Sequence, residues 1–217
     1  MNQIIYPEKL DTASSPLNNS ILRLKLKYKI LFFISILFLI IFIIYYSIKY
    51  WNLHKKEQIS KKILSTYDIQ TLYSSNTFYS PYIILDNGKS TEILGVIEIK
   101  KINLRYPILA NFTDELLKIA PCRFYGNNLN KVGNVCIAGH NYDNGEFFSD
   151  LDQLELGDII DIYDLQGSHL SYIVYDKFET DASDSSCTSQ DTFYKEITLI
   201  TCNNSNNKRL IIKAKNR

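Results

Sequence analysis

From Ile30 to Ile48 the chain runs 19 residues without a charge, almost all of them apolar. A helix rises about 1.5 Å per residue, so this run is about 28 Å long, close to the hydrocarbon thickness of a bilayer. Arg23, Lys25, Lys27 and Lys29 lead into it. Tyr45, Tyr46, Tyr50 and Trp51 gather at its far end, as interfacial aromatics do. The run is too long for a signal-peptide core, and no small-residue cleavage site follows. It therefore predicts an uncleaved transmembrane anchor over 30–48. Residues 1–22 are polar and patternless, which predicts a disordered tail. Residues 52–75 are charged, with some helical spacing at Leu53, Ile59, Ile63 and Leu64. They predict a juxtamembrane stalk within 49–80.

From about Pro81 the pattern changes to short alternating runs separated by turns. Val96–Ile99, Leu104–Leu109, Asn134–His140, Ile159–Tyr163, Leu170–Phe178, Ile197–Cys202 and Arg209–Ala214 read as strands. Leu165-Gln166-Gly167-Ser168 reads as a hairpin turn. Thr113 reads as the N-cap of a short helix over Asp114–Ile119, stopped before Pro121. Many short strands at turn spacing predict a mostly β domain over 81–217, a closed or nearly closed barrel with short helices.

Composition adds little. At 217 residues the chain holds one domain plus extensions. A net charge of +1 gives no reason to expect nucleic acid as a partner. The four cysteines, Cys122, Cys136, Cys187 and Cys202, match no zinc spacing, and no metal is expected. An outward-facing domain can hold disulfides, and Cys122–Cys136 is one option. Both flank segments that read as buried, so the favoured reading makes Cys136 a small core hydrophobe. Cys187 sits in a polar loop and is expected exposed.

The candidate chemistry lies in three places. Thr198-Leu199-Ile200-Thr201-Cys202 ends one strand, and Arg209 begins the next. His140 closes the stretch Gly133 to His140. Alternation puts Thr198, Ile200 and Cys202 on one face, with Leu199 and Thr201 on the other. If the last two strands pair as a hairpin, Cys202 and Arg209 flank its loop, Asn203 to Lys208. A thiol, an imidazole and a guanidinium are the parts that acyl transfer through a thioester needs. Residue by residue, a bland reading stands beside this: a cysteine at a strand end, an exposed arginine and a core histidine. His54 and His169 read as solvated.

These segments resemble the sortases, cysteine transpeptidases of Gram-positive cell surfaces. The match is T-L-x-T-C at Thr198 to Cys202, Arg209 on the next strand and His140 on an earlier one. Phe147-Phe148-x-x-Leu151-x-x-Leu154-x-x-Gly157-Asp158 resembles the segment after the sortase histidine, and the likeness covers roughly residues 93–215. It implies a sortase-like closed barrel. It also implies Cys202 as nucleophile, His140 as general acid and base, and Arg209 as stabiliser of the substrate carbonyl. Thr201, Ile200 and Asn141 are expected to support the nucleophile or touch substrate. The implied reaction cuts an L-P-x-T-G-like sorting signal on a surface protein. The acyl group then passes to an amine of peptidoglycan or of another protein. The implied topology is an inner tail over 1–29, a single pass and an outer catalytic domain. Wall anchoring is favoured over pilin polymerisation, because no second span and no lid with an Asp-Pro pair is seen. No cofactor is expected. Some sortases bind calcium near the loop holding Glu179, Asp181, Asp184 and Asp191, but the spacing here matches no dedicated calcium loop. A membrane-tethered cysteine protease and a non-catalytic β scaffold or adhesin are the rival readings.

Overall fold

The computed structural model describes residues 16–73, 82–84, 88, 90–142, 145–165, 168–203, 205–206 and 208–216. Two compact units divide the chain, Met1–Asn52 and Leu53–Arg217. A helix, α1 (Pro16–Tyr73), contributes to both. Pro16 suits a first turn, and neither Gly nor Pro follows it within the helix, so nothing interrupts the backbone ladder. In the first unit, Arg23–Trp51 is long and apolar enough to cross a membrane. Its apolar side chains are exposed all round, as suits a segment solvated by lipid.

Two expectations change here. The tail predicted to be disordered over 1–22 overlaps a helix that already begins at Pro16, and residues 1–15 lie outside the described ones. The stalk is helical to Tyr73, and part of it is packed. Ile63 is buried in a cluster with Ile93, Leu109, Leu116 and Cys122, and Ile59 packs against that cluster. Asp68 accepts a two-pronged ion pair from Arg105 at 2.6 and 2.9 Å. Apolar residues four apart on a helix lie on one face, and here that face has a partner. Residues 74–81, including the domain start expected at Pro81, lie outside the described ones.

The second unit is a β-barrel. Its strands are β1 (Tyr82–Ile84), β2 (Ser90–Ile99), β3 (Leu104–Leu109), β4 (Cys122–Tyr125), β5 (Gly133–Ala138), β6 (Ile159–Asp164), β7 (His169–Thr180), β8 (Lys195–Asn203) and β9 (Lys208–Asn216). Their order is β1-β2-β3-β4-β5-β8-β9-β7-β6, and β6 pairs back onto β2. Eight strands thus close a barrel, with β1 as an appendage of β2. The pairs β3–β4 and β5–β8 are parallel, and the rest are antiparallel. Closure needs β2 and β6 close together, and Gly95 permits it. A Cβ there would lie 2.1 Å from the Tyr163 carbonyl oxygen.

Alternating inward residues fill the barrel: Ile97 and Ile99, Val135 and Ile137, Ile160 and Ile162, Tyr172 and Val174, Ile197 and Leu199, Ile212 and Ala214. Phe148, Leu151 and Leu154 close it from the segment after His140. Each fully buried aliphatic side chain stabilises the fold by about 1.5–3 kcal/mol. The helix α2 (Asp114–Leu117) is capped as expected, with Thr113 Oγ1 accepting from the Leu116 amide at 3.2 Å. It stops two residues short of Ile119.

The strand pattern missed β1 and β4, and it began β2 six residues late. β4 holds only four residues and alternates weakly, which leaves little period to detect. At the hairpin turn, Gln166 and Gly167 lie outside the described residues. Asp164 and Ser168 close its base at 2.9 Å (amide of Asp164 to carbonyl of Ser168).

Candidate active site

β8 ends on the cluster that matters. Leu199 and Thr201 turn inward and are buried, and Cys202 is partly exposed on the other face. β8 and β9 form a hairpin whose register pairs Cys202 with Arg209. The register continues to Asn203 and Lys208, so the connecting loop is shorter than the Asn203–Lys208 span expected. Residues on directly paired positions share a face. The Arg209 guanidinium accordingly donates through Nη1 to the Cys202 sulfur.

His140 reaches the same place along β5. β5 runs parallel to β8, with Ala138 opposite Ile200. β5 itself stops at Ala138, two residues before the strand end expected at His140. Three hydrogen bonds carry the alignment further. The Gly139 amide donates to the Ile200 carbonyl at 3.0 Å. The Thr201 hydroxyl donates to the Gly139 carbonyl at 2.8 Å. The Asn141 side-chain amide donates to the Cys202 carbonyl at 2.8 Å. His140 is thereby held between two residues tied to the Ile200–Cys202 backbone. Its ring leans on Tyr142 with centroids 4.9 Å apart, and Tyr142 leans on Phe147 at 5.7 Å. The residue before it must be small, because a Cβ at position 139 would lie 2.6 Å from the Phe148 ring.

The six sequence candidates therefore converge. Arg209 contacts Cys202, and the segment bearing His140 is tied to the Ile200–Cys202 backbone. Thr201 latches β8 to β5 from the buried side. Asn141 ties the histidine segment to the cysteine backbone. Ile200 is half-buried on the outward face of β8, two residues before Cys202.

Pattern reading names Glu179 only as part of an acidic loop and does not single out Asn134. Glu179, in β7, accepts from the side-chain amides of Asn203 and Asn206, the latter at 2.7 Å, and so grips the β8–β9 loop. Those hydrogen bonds hold its carboxyl below the usual value. Asn134 fastens the 181–194 loop to the barrel. Its amide donates to the carbonyls of Cys187 (3.0 Å) and Ser189 (3.1 Å), and its oxygen accepts from Thr198 at 2.8 Å. A cavity of about 620 Å³ opens beside Cys202, lined by Asn141, Ser149, Lys177, Glu179 and Asn203 among others. Long-range side-chain pairs of this kind leave no local period in a sequence.

The other thiols behave differently. Cys187 is 5% exposed, against the exposure expected, because the Asn134 bonds fold its loop onto β5. Cys122 and Cys136 are both free, so the Cys122–Cys136 bridge is not formed. Burial pushes each of these two thiols up to about 12. Burial also raises Cys187. Such thiols stay protonated and unreactive at neutral pH. His169 is exposed, as expected, and is also paired with Asp161 at 3.1 Å and stacked on Tyr163. The side chain of His54 lies outside the described residues. Among the described residues, no three His, Cys, Asp or Glu side chains gather as a cation cage. In the acidic loop, Asp184 instead accepts from Thr180 (2.5 Å) and the Ser186 amide (2.8 Å).

Fold and site together define a small closed barrel with a cysteine, an arginine and a histidine at the ends of three neighbouring strands. The family model of the sortase domain matches residues 97–217. The chain belongs to the sortase family. It is 31% identical over 130 residues to a sortase A of Bacillus anthracis, a match covering 56% of this chain and 58% of that relative. Among solved structures it is similar to a sortase D5 transpeptidase of Clostridium perfringens: 25% identity, TM-score 0.57, 75% of this chain and 99% of that one. It is also similar to a lid mutant of sortase A from Corynebacterium diphtheriae: 25% identity, TM-score 0.55, 61% of this chain and 74% of that one.

Proposed function

We propose that this protein is a membrane-anchored cysteine transpeptidase. It would cut an L-P-x-T-G-like sorting signal and join the new carboxyl end to an amine. The observation that carries the proposal is the Arg209 guanidinium donating to the Cys202 sulfur, with His140 tied to the same backbone. Cys202 attacks the scissile carbonyl as thiolate, forming the carbon–sulfur bond. The oxyanion that develops takes the guanidinium hydrogen bonds that had served the thiolate. His140, as imidazolium, gives its proton to the departing amine, and the carbon–nitrogen bond breaks. The product is a thioester on Cys202. An incoming amine attacks that thioester and loses its proton to the now neutral His140. The new amide leaves, and Cys202 is again a thiolate.

Membership of the sortase family supports transpeptidation in general. The apolar Arg23–Trp51 helix supports anchorage. We place the inner tail at 1–29, the span at 30–48, the stalk at 49–80 and the catalytic domain at 81–217, outside the cell. A membrane-impermeant thiol reagent added to intact cells should then label Cys202, and labelling only after lysis would reverse the topology. We favour peptidoglycan over a second protein as the source of the amine.

The test is a panel of L-P-x-T-G-like peptides with amine acceptors, offered to the full-length protein in detergent micelles. Amine-coupled product, absent with Cys202→Ala, supports the proposal. Hydrolysis with no coupling would favour a protease. No turnover and an inert Cys202 would favour a scaffold.

A further inference from the structure

Away from Cys202, the chain shows a second depression of about 900 Å³, bounded by β4, the β4–β5 loop and the residues that follow β3. Arg123 and Lys131 line it, and no carboxylate does. Arg123 donates to the neutral Asn128 oxygen at 3.1 Å. Among the described residues, neither cation has an ion-pair partner. Apolar surface is offered beside this charge. Phe112 and Phe124 stand edge to face with centroids 5.0 Å apart, yet are 41% and 45% exposed, and Tyr125 is 54% exposed. A chain of net charge +1 thus concentrates uncompensated cation and exposed ring in one place. Such a combination suits an anionic, extended polypeptide.

The register connects this trough to the reacting thiol. Cys122 and Tyr125 of β4 pair with Ala138 and Cys136 of β5. Ala138 in turn pairs with Ile200 of β8. Neighbouring strands lie about 4.8 Å apart, so β4 is about 10 Å from β8. An extended peptide covers about 3.3 Å per residue. Along the strands the trough lies further back: Arg123 pairs with Ile137, which pairs with Leu199, three residues before Cys202, and Gly133 pairs with Lys195, seven before it. The trough thus spans about 14 to 25 Å from Cys202, so an extended donor reaches it from about the fifth residue before the scissile bond, just upstream of a four-residue L-P-x-T stretch. Gln190 lines the trough and also holds the β5 backbone at Asn134, so one wall is fixed.

We propose that this trough is an extension of the donor site that takes an acidic segment of the donor protein on the acyl side of the scissile bond. The proposal rests on the transpeptidase reading above. The acyl side is chosen because it stays covalently held through both halves of the reaction. The other side must leave before an acceptor amine can enter, so affinity there would work against turnover.

The test uses full-length protein in nonionic-detergent micelles. Two donor peptides share one L-P-x-T-G-like motif and differ in the four residues before it, Asp and Glu in one, Asn and Gln in the other. The readout is the ratio of their kcat/KM values. In the wild type the acidic donor should lead by about fivefold, the size two solvent-exposed charge pairs give. The ratio should fall to about one in Arg123→Gln/Lys131→Gln, and at about 0.5 M salt, where such charges are screened. In parallel, the fluorescence anisotropy of a labelled acidic donor is read on Cys202→Ala, with and without the two Gln substitutions. A wild-type ratio of one overturns the trough and leaves the transpeptidase standing. Binding to Cys202→Ala that needs Arg123 and Lys131, with no donor turned over, overturns the transpeptidase and keeps the trough. A double variant that alters KM for the amine acceptor, with the donor ratio intact, assigns the trough to an anionic wall polymer and overturns the proposal.

Discussion

At the scale of single residues, the account rests on a guanidinium, a thiol and an imidazole whose positions are set by backbone register. Arg209 faces Cys202 because the two are paired across a hairpin, and not because of a flexible reach. That makes the fork geometry matter. Lysine at 209 would keep the charge but present a point donor in place of a planar fork. Arg209→Lys should therefore lower kcat by about 10²–10³, the cost of losing an oxyanion donor. Steady-state kinetics with a coupled amine would show it. A variant within a few-fold of wild type would mean that charge alone suffices and the fork does not act. These three positions stood out as candidates in the sequence because a nucleophile motif is short and local. The T-L-I-T-C run and Arg209 lie within one hairpin, and His140 ends an apolar stretch. Gly139 was not singled out: its need to be small comes from the Phe148 ring, nine residues on and brought back by the fold.

At the scale of elements, the site depends on two loops held by side chains that carry no chemistry. Asn134 makes three hydrogen bonds that tie the 181–194 loop to β5 and β8. Asn134→Ala would leave two carbonyls and the Thr198 hydroxyl unpaired. The loop should then lift, and Cys187 should react with a thiol reagent at least tenfold faster than in wild type. Mass spectrometry after timed alkylation would resolve it from Cys202, and an unchanged Cys187 rate would show that other contacts hold the loop. Glu179 is the second fastener. Its carboxyl is depressed by the Asn206 and Asn203 hydrogen bonds, so its contribution is present above the unfolded-state value and is lost as pH falls through the lower folded value. The gap in thermal midpoint between wild type and Glu179→Gln should be open at neutral pH and close at acid pH, below about 4. A gap independent of pH would mean that the charge of Glu179 is not what grips the loop. The carboxylate is exposed, so the gap will be modest. Strand periodicity predicted seven of the nine strands among the described residues, but not these fasteners. The Asn134–Thr198 bond joins positions 64 residues apart, and a period of two along a strand says nothing about it.

At the scale of the whole molecule, an apolar N-terminal helix and a closed barrel were both visible as patterns: a long uncharged run, then short alternating ones. Their junction was not. The 49–80 stretch looked like a spacer because its apolar residues are sparse, yet Ile63 is buried and Asp68 grips Arg105. Closure of the barrel was expected only in outline, since the β2–β6 pairing joins strands over sixty residues apart. The central claim is that Cys202 carries the acyl group between donor and amine. The most direct measurement is the intact mass of the full-length protein after mixing with an L-P-x-T-G-like peptide and no acceptor. The account predicts an adduct equal to the acyl fragment, mapped to Cys202, absent in Cys202→Ala and discharged on adding an amine. A peptide that is cleaved with no mass gain at Cys202 under rapid quench, and equally by Cys202→Ala, would contradict it.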